Sequence, residues 1–254
     1  VRGLHISRPE QQLIIDGVAS RNRRDSICLT LDNFDLAPLS ALVSRWGYEL
    51  SAQSNGYATV RSALHNPQID ARIDLSQIDV NGIEAPPQLI TSNWDFEKNR
   101  ARVIIRDANS RDTVIRGYYQ PQGNRYYAKA NLKGVKMELL QPFLTDIVSD
   151  IKGEASAEAT ILGEGRSASL NGYATIDSLD VNVDYLSTRY CAPSGRVDIV
   201  NNHFIADKIT VYDSEGNRGS YSMDIGLDHL SNITYNIDIT AKDMLVLDTE
   251  AKDN

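Results

Sequence analysis

The side chains best suited to metal binding or proton transfer lie far apart in this sequence. The motifs that mark a serine hydrolase, a paired Cys and His, or a zinc protease helix are absent. No histidine has a second ligand at the spacing of a metal site. We interpret the four histidines as strand or surface residues and expect no resident metal or cofactor; they are His5, His65, His203 and His229.

Two short motifs contain glycine in patterns similar to ligand loops. "GEGR", Gly163–Arg166, lacks the third glycine and the following helix of a dinucleotide loop. "DSEGN", Asp213–Asn217, has carboxylates at alternate positions that suit calcium, but it lacks the distal glutamate of a calcium loop. Both motifs therefore favour tight turns between strands.

Acidic residues are numerous, and two carboxylates at the right separation can hydrolyse a glycosidic bond. The sequence brings no two of them together at such a separation, and most alternate with aliphatic residues, as on the solvent face of a strand. We therefore predict no catalytic residue and no enzyme activity.

Composition limits the function classes further. The chain has 254 residues, 41% hydrophobic and 24% charged, which suits one or two globular domains. The net charge of −8 argues against a nucleic-acid partner, because displacing phosphate counterions needs a basic surface. We identify one basic cluster, "SRNRRDS", Ser20–Ser26, and interpret it as a solvated turn.

The two cysteines, Cys28 and Cys191, are too few for a metal cluster or a disulfide framework. A single long-range disulfide between them is an alternative that the sequence leaves open, although nothing in their spacing pairs them. Neither a signal peptide nor a long apolar run is present, and the last residues are the charged "EAKDN". We therefore expect a piece of a longer protein, with any targeting or membrane segment elsewhere.

Alternation of apolar and polar residues predicts a chain that is mainly strand. In "YSMDIGLDHL", Tyr221, Met223 and Ile225 alternate with Ser222 and Asp224, and "YNIDITA" and "RYYAKANLKG" show the same period. Short connections predict antiparallel neighbours. The turn signals are "VNG" at Val80–Gly82, "PQGN" at Pro121–Asn124, Asn171-Gly172 and "DSEGN".

Two segments predict short helices, each opened by a proline. The first has Pro38, the stripe Leu39, Leu42 and Val43, and a stop at Gly47; the second has Pro142, Phe143, Ile147 and Val148. Helices this short need tertiary support, so we expect them to lie against the apolar face of the sheet.

The sequence also repeats itself at an offset of 101 residues. "SQIDVNGI", from Ser76, returns as "SLDVNVDYL", from Ser178, and the aliphatic positions around both coincide without a gap. Such coincidence is typical of a repeated supersecondary unit whose surface has diverged. We predict one continuous segment, 1–254, with repeats at about 29–130 and 131–249.

Two stretches resemble the TamB (translocation and assembly module) family of AsmA-like repeating β-groove proteins, in particular its Bacteroidetes members. They are "LLQPFLTDIVSDIKGEASAEATILGEGRSASLNGYATIDSLDVNVDYLSTRY", from Leu139, and "VYDSEGNRGSYSMDIGLDHLSNITYNIDITAKDMLVLDT", from Val211. The "DYL" element and the final "LDH" and "YNIDI" pattern are the more distinctive parts. The resemblance extends along the chain and is weaker before Leu29.

The resemblance implies an elongated, curled, antiparallel-rich sheet that forms an open apolar trough, with two short helices. It implies a periplasmic protein, tethered to the inner membrane by a segment outside this chain, that carries phospholipids toward the outer membrane and supports outer-membrane biogenesis. The partners implied are phospholipid acyl chains and an Omp85-family barrel, contacted through regions absent here. Self-association through an edge strand is a further expectation.

Repeated aliphatic positions should share the inner face of such a trough, because strand register follows a period of two. The predicted lining residues are Val60, Ile69, Leu75, Ile78, Val80, Ile161, Leu170, Ile176, Leu179 and Val181. The predicted groove-facing helix residues are Leu39, Leu42, Phe143 and Ile147. The alternative function is a structural or adhesive β-scaffold for protein–protein interaction in envelope assembly, and a glycan-processing enzyme is the least favoured.

Overall fold

The computed structural model describes residues 4–8, 10–22, 24–44, 47–65, 67–144, 148–228 and 232–245. These residues are mainly strand and form one large antiparallel sheet. In chain order the strands are β1 Leu4–Arg8, β2 Gln11–Gly17, β3 Ser26–Asp35, β4 Leu50–Arg61, β5 Gln68–Val80, β6 Ile83–Ala85, β7 Gln88–Asp95, β8 Arg100–Asp107, β9 Thr113–Gln120, β10 Arg125–Lys136, β11 Val148–Glu164, β12 Ser167–Val183, β13 Thr188–Ala192, β14 Gly195–Val200, β15 His203–Asp213, β16 Arg218–Asp228 and β17 Asn232–Ala241.

Strands that are close in the chain are hydrogen-bonded neighbours, so the sheet is a meander. β1 to β5 pair in chain order, and so do β7 to β10. The short β6 and the longer β7 both pair with β5. β13 and β14 both pair with β12 and with β15, and β16 and β17 follow. The predicted antiparallel neighbours are confirmed.

The chain divides into two compact units. Unit 1 comprises residues 1–130 and 161–168, and unit 2 comprises residues 131–160 and 169–254. The repeat boundaries inferred from the sequence stay a prediction. The strand pairs within each unit nevertheless permit a comparison of register.

The pair β11–β12 has the register of the pair β4–β5, displaced by 101 residues. Ala58 lies opposite Ala71. A Cβ built on Gly172 would lie 2.7 Å from the Cα of Ala159, which places these two residues opposite each other. The repeated sequence spacing is therefore matched by a repeated backbone pairing.

A β-bulge in β5 keeps its aliphatic residues on one face. The register shifts by one residue between the pairs Ser51–Asp79 and Gln53–Ser76, and Gln77 has a positive φ of 49°. An extra residue in a strand restores the facing of the residues that follow it. Leu75 and Ile78, three apart in sequence, therefore point to the same side.

The two predicted helices are not confirmed. The first segment forms a six-residue 3₁₀ helix, Ala37–Leu42, without a side-chain cap at its start. The second forms a 3₁₀ turn, Met137–Leu140, followed by α1, Gln141–Leu144. Leu39 is 48% exposed, so about half of its surface is left uncovered. Val148 begins β11 and is buried there, not in a helix.

The positions of the other helix residues follow from the described ranges. Leu42 and Phe143 belong to the short helices, while Ile147 lies outside the described residues. These helices are too short to form a sustained i to i−4 hydrogen-bond ladder, which explains their mainly 3₁₀ character.

The turn expected at Asn171-Gly172 is wrong, because both residues lie inside β12. Gly172 has a φ of +150°, and a Cβ there would lie 2.1 Å from the carbonyl oxygen of Glu158. The glycine permits close approach of two strands and not a chain reversal. The turns at Asn81-Gly82, Pro121–Asn124, "GEGR" and "DSEGN" are confirmed.

The ion pairs of Asp95 tie β7 to β8 in unit 1. Its side chain is 4% exposed and accepts hydrogen bonds from Arg102 Nε at 3.0 Å and Arg100 Nε at 3.4 Å. The Lys98 backbone N–H also donates to it. The hydrogen bond from Arg102, with smaller help from Lys98 and Arg100, outweighs burial and lowers the pKa of Asp95 from 3.8 to about 2.

Replacing Gly172 with alanine should destabilise unit 2 by about 2–4 kcal/mol, because backbone atoms of β11 must move. Gly165→Ala is the matched control, since its φ is +60° and nothing lies within 4 Å of its Cβ position. That variant should cost only about 1 kcal/mol. Equal losses of unfolding free energy in urea would contradict the close approach.

The Asp95 ion pairs predict a specific pH dependence of stability. A folded pKa below the ordinary value means that the stabilisation is present above about pH 4 and is lost as the pH falls toward about 2. Asp95→Asn should flatten the fall in unfolding free energy across this range and should lower stability at pH 7. Urea unfolding at several pH values measures both effects, and an unchanged slope would contradict the assignment.

Candidate apolar binding face

One face of the sheet in unit 1 is mainly apolar across its strands. Opposing residues form a continuous row through eight strands: Leu13, Leu31, Gly56, Ile73, Ile90, Ile105, Ile115 and Ala130. A second row beside it reads Ile15, Leu29, Ala58, Ala71, Ser92, Val103, Gly117 and Ala128. Opposing residues in an antiparallel pair share a face, so these rows define the apolar face of unit 1.

Unit 2 has an apolar face of the same kind. Its buried centre is the cluster Ala192, Val197, Ala206 and Ile209. The partly buried side chains that pack on this cluster are Ile176, Leu179, Phe204, Val211 and Met223. A bulge in β15 at Lys208, with a φ of 51°, keeps the cluster members Ala206 and Ile209 on one side.

Most side chains of these faces are only half-buried. Twelve hydrophobic side chains are buried among the described residues, and Ile73, Ile90, Ile105 and Ile115 are not among them. The described residues contain no second sheet, and their helices are at most six residues long. Within each unit, no second sheet and no long helix among the described residues covers the apolar face.

The ten predicted lining residues all lie in β4, β5, β11 or β12. Ile78 is buried and the other nine are half-buried. Val60 lies opposite Ile69 on the apolar face of unit 1, and Leu179 lies opposite the buried Ala192 in unit 2. Whether these side chains line a ligand groove stays a prediction.

An open depression of about 340 Å³ lies in unit 2 at the β11–β12–β13 contact. Its lining consists of Lys152, Gly153, Ser178, Leu179, Asp180, Cys191, Ala192 and Pro193. Gly153 lets β11 approach β12 closely here, because a Cβ on it would lie 2.0 Å from the carbonyl oxygen of Ser178. This volume is at the small end of ligand sites, which span about 300–1,000 Å³.

Two of the lining residues, Lys152 and Asp180, belong to a group of ion pairs. Arg189 donates from Nε to Asp180 at 2.6 Å and from Nη1 to Asp150 at 2.8 Å. Lys152 contacts Asp150 at 2.7 Å. Hydrogen bonds from Lys152 and then Arg189 lower the pKa of Asp150, while Asp180 and Asp150 raise the pKa of Arg189. These side chains are about half exposed, so the pairs fix geometry more than they stabilise.

The "DSEGN" turn closes on its own first residue. Asp213 is buried and accepts hydrogen bonds from the backbone N–H groups of Glu215 and Asn217, and from that of Leu245 at 2.7 Å. Burial raises the pKa of Asp213, but these bonds together outweigh it and lower the pKa to about 2. The turn therefore holds the segment after β17.

Groups that could perform metal or thiol chemistry are dispersed. No three His, Cys, Asp or Glu side chains converge on a metal position within the described ranges. Cys28 and Cys191 are free and exposed, in unit 1 and unit 2. His203 contacts Asp224 at 2.8 Å, and His229 lies outside the described residues.

The described helices include none that is long and apolar enough to span a bilayer. Comparison of the chain with protein-family models, curated proteins and solved structures finds no match. Inference about function therefore rests on the apolar faces and on the charged surface that backs them.

Proposed function

We propose that this chain is a segment of a periplasmic protein that carries phospholipids by their acyl chains and supports outer-membrane biogenesis. The observation that carries the proposal is the continuous apolar face of unit 1, in which eight consecutive neighbours each present an apolar residue. A face whose side chains are only half-buried suits a partner that is itself apolar and long.

The energetics favour such a partner. Leaving an acyl chain of sixteen carbons in water costs on the order of 12 kcal/mol, at about 0.8 kcal/mol per methylene. A face that offers similar contacts along many strands removes this cost at each position without one deep binding site. A lipid can then move along the face, and no catalytic group is required.

The finer architecture belongs to the same proposal. The sheet curls lengthwise into an open trough whose inner side is the apolar face, as the resemblance to the TamB family implies. The repeated register of β4–β5 and β11–β12 supports it, because a conduit is lengthened by repeating its wall. Membrane tethering and contact with an Omp85-family barrel would be functions of regions outside this chain.

A structural scaffold is the second candidate, and one observation favours it. β17 is paired with β16 along ten residues, and its Ile237 and Ile239 are 43% and 57% exposed. An exposed apolar strand at the end of a sheet is a template for association with another chain. Concentration-dependent oligomers that Ile239→Lys abolishes, without any lipid binding, would favour this candidate.

Acyl-chain binding is tested by placing an arginine on either side of β5. Leu75 is half-buried on the apolar face, whereas the adjacent Ser76 is exposed on the polar face. Leu75→Arg should weaken binding of a fluorescent fatty acid at least about tenfold, or about 1.4 kcal/mol, because a charge is costly in apolar surroundings. Ser76→Arg should change it little.

Both variants should fold, since an arginine on an open face can extend its guanidinium to water. Circular dichroism and thermal unfolding check this. Native mass spectrometry of the purified wild-type chain should also show co-purified lipid. Equal binding by both folded variants, or by neither the variants nor the wild type, would contradict the proposal.

The trough predicts a large radius of gyration in solution. In such a trough the strands fill about fifteen positions, because β6 and β7 share one position beside β5, and β13 and β14 share one beside β12. At about 4.8 Å each they give a rod of about 70 Å, with a radius of gyration near 21 Å. A compact domain of 254 residues should give about 18 Å. Small-angle scattering distinguishes the two, and a value near 18 Å would contradict the trough.

A further inference from the structure

The basic residues of this acidic protein are concentrated in one stretch. Residues 98–136 contain ten lysines and arginines against two aspartates, although the whole chain carries −8. The interpretation of "SRNRRDS", Ser20–Ser26, as the one basic cluster of the sequence was therefore wrong. A search of short sequence segments does not detect the larger cluster, because its successive basic residues are two to nine positions apart.

Strand pairing gathers six of these residues on the polar face of unit 1. We call this set the basic patch: Arg100, Arg102, Arg106, Arg116, Arg125 and Lys129. They occupy alternate positions of β8, β9 and β10. Their side chains therefore lie on the opposite face of the sheet from Ala101, Val103 and Ile105 of the apolar face. The patch and the apolar face are thus two sides of the same three strands.

Aromatic rings hold the centre of the basic patch in place. Tyr118 lies opposite Tyr127, with ring centroids 5.6 Å apart and an interplanar angle of 18°. The Arg100 guanidinium carbon lies 4.3 Å from the centroid of Tyr118. This cation–π stack positions Arg100 over the sheet, and the Asp95 carboxylate holds Arg102 beside it.

The patch is accessible and is flanked by an exposed phenylalanine. Arg116 and Arg125 are exposed, and the side chain of Arg102 is 52% exposed. Phe96, in the turn between β7 and β8, is 68% exposed, the largest value among the exposed large hydrophobic residues of the described chain. An aromatic ring at the edge of a basic surface can enter the headgroup region of a bilayer.

We propose that the basic patch and Phe96 form a docking surface for an anionic phospholipid bilayer. Three of the cations, Arg106, Arg116 and Arg125, are arginines outside the Asp95 ion pairs, and their planar guanidinium matches phosphate bidentately. The patch lies on the face of a sheet and so suits a planar array of phosphates. The remainder of the chain is strongly acidic and is repelled by such a membrane, which orients the patch toward it.

The favoured partner is a bilayer and not a soluble polyanion. A nucleic acid or an anionic glycan accounts for the cations and can also stack a base or a sugar on Phe96, but such a chain extends beyond the six cations of the patch. The net charge of −8 also opposes long polyanions that would extend beyond the patch. The proposal is independent of acyl-chain binding, because it concerns the opposite side of the sheet.

Vesicle flotation with the full chain tests the proposal. Binding should occur to vesicles of phosphatidylcholine with phosphatidylglycerol, and not to vesicles of phosphatidylcholine alone. It should fall as salt rises from 50 to 300 mM, because screening shortens the reach of surface charge.

Two triple variants distinguish an effect of the basic patch on vesicle binding from an effect of the overall net charge. The triple variant Arg106→Gln, Arg116→Gln, Arg125→Gln should lose about 100-fold in affinity, at roughly fivefold per cation. The matched control, Arg21→Gln, Arg24→Gln, Arg218→Gln, removes three exposed arginines outside the patch and should lose less than threefold. Phe96→Ser should lose several-fold, and this loss should persist at high salt.

Three outcomes would overturn the proposal. Equal losses in the two triple variants would show that only net charge matters. Binding to neutral vesicles as strong as to anionic ones would remove the electrostatic basis. Tighter binding to single-stranded DNA or to a sulfated glycan than to the vesicles would assign the patch to a soluble polyanion.

Discussion

Strand register is the constraint on which both surfaces of this protein depend. Side chains alternate between the two faces of a strand, so a slip of one residue would exchange every apolar side chain for a polar one. In β8 the slip would bring Arg102 to the place of Val103. The hydrogen-bond ladder alone does not prevent this, since it is satisfied in either register. Burial of the apolar face decides between them.

Bulges extend that control where the sequence departs from a period of two. The three clear cases have one residue with a positive φ: Asn33 in β3, Gln77 in β5 and Lys208 in β15. Each is followed by apolar residues that would otherwise point outward. The cost of a non-glycine residue at positive φ is about 1 kcal/mol. The free energy gained by keeping several apolar side chains on the apolar face exceeds this cost.

The strands were predictable because alternation is a local signal, as in "YSMDIGLDHL". Three features were not. Asn171-Gly172 has the sequence of a common turn. The need for glycine there comes from the carbonyl oxygen of Glu158 on the opposing strand, which the sequence pattern does not reveal. The helix at Pro38 ends at Leu42, before the apolar stripe ends, and its Leu39 is 48% exposed. The basic patch arises from pairing between strands, so its members are adjacent in space and separated in sequence.

The repeat and the basic patch place different demands on the same architecture. A repeated wall requires equal register in each copy, and the pairings Ala58–Ala71 and Ala159–Gly172 meet that requirement on the apolar side. The polar side is free to diverge, since solvent tolerates any charged residue. This freedom permits basic residues to concentrate on β8–β10, while the polar side of unit 2 carries aspartates such as Asp180 and Asp224. One face can therefore keep a common function along the sheet while the other acquires a local one.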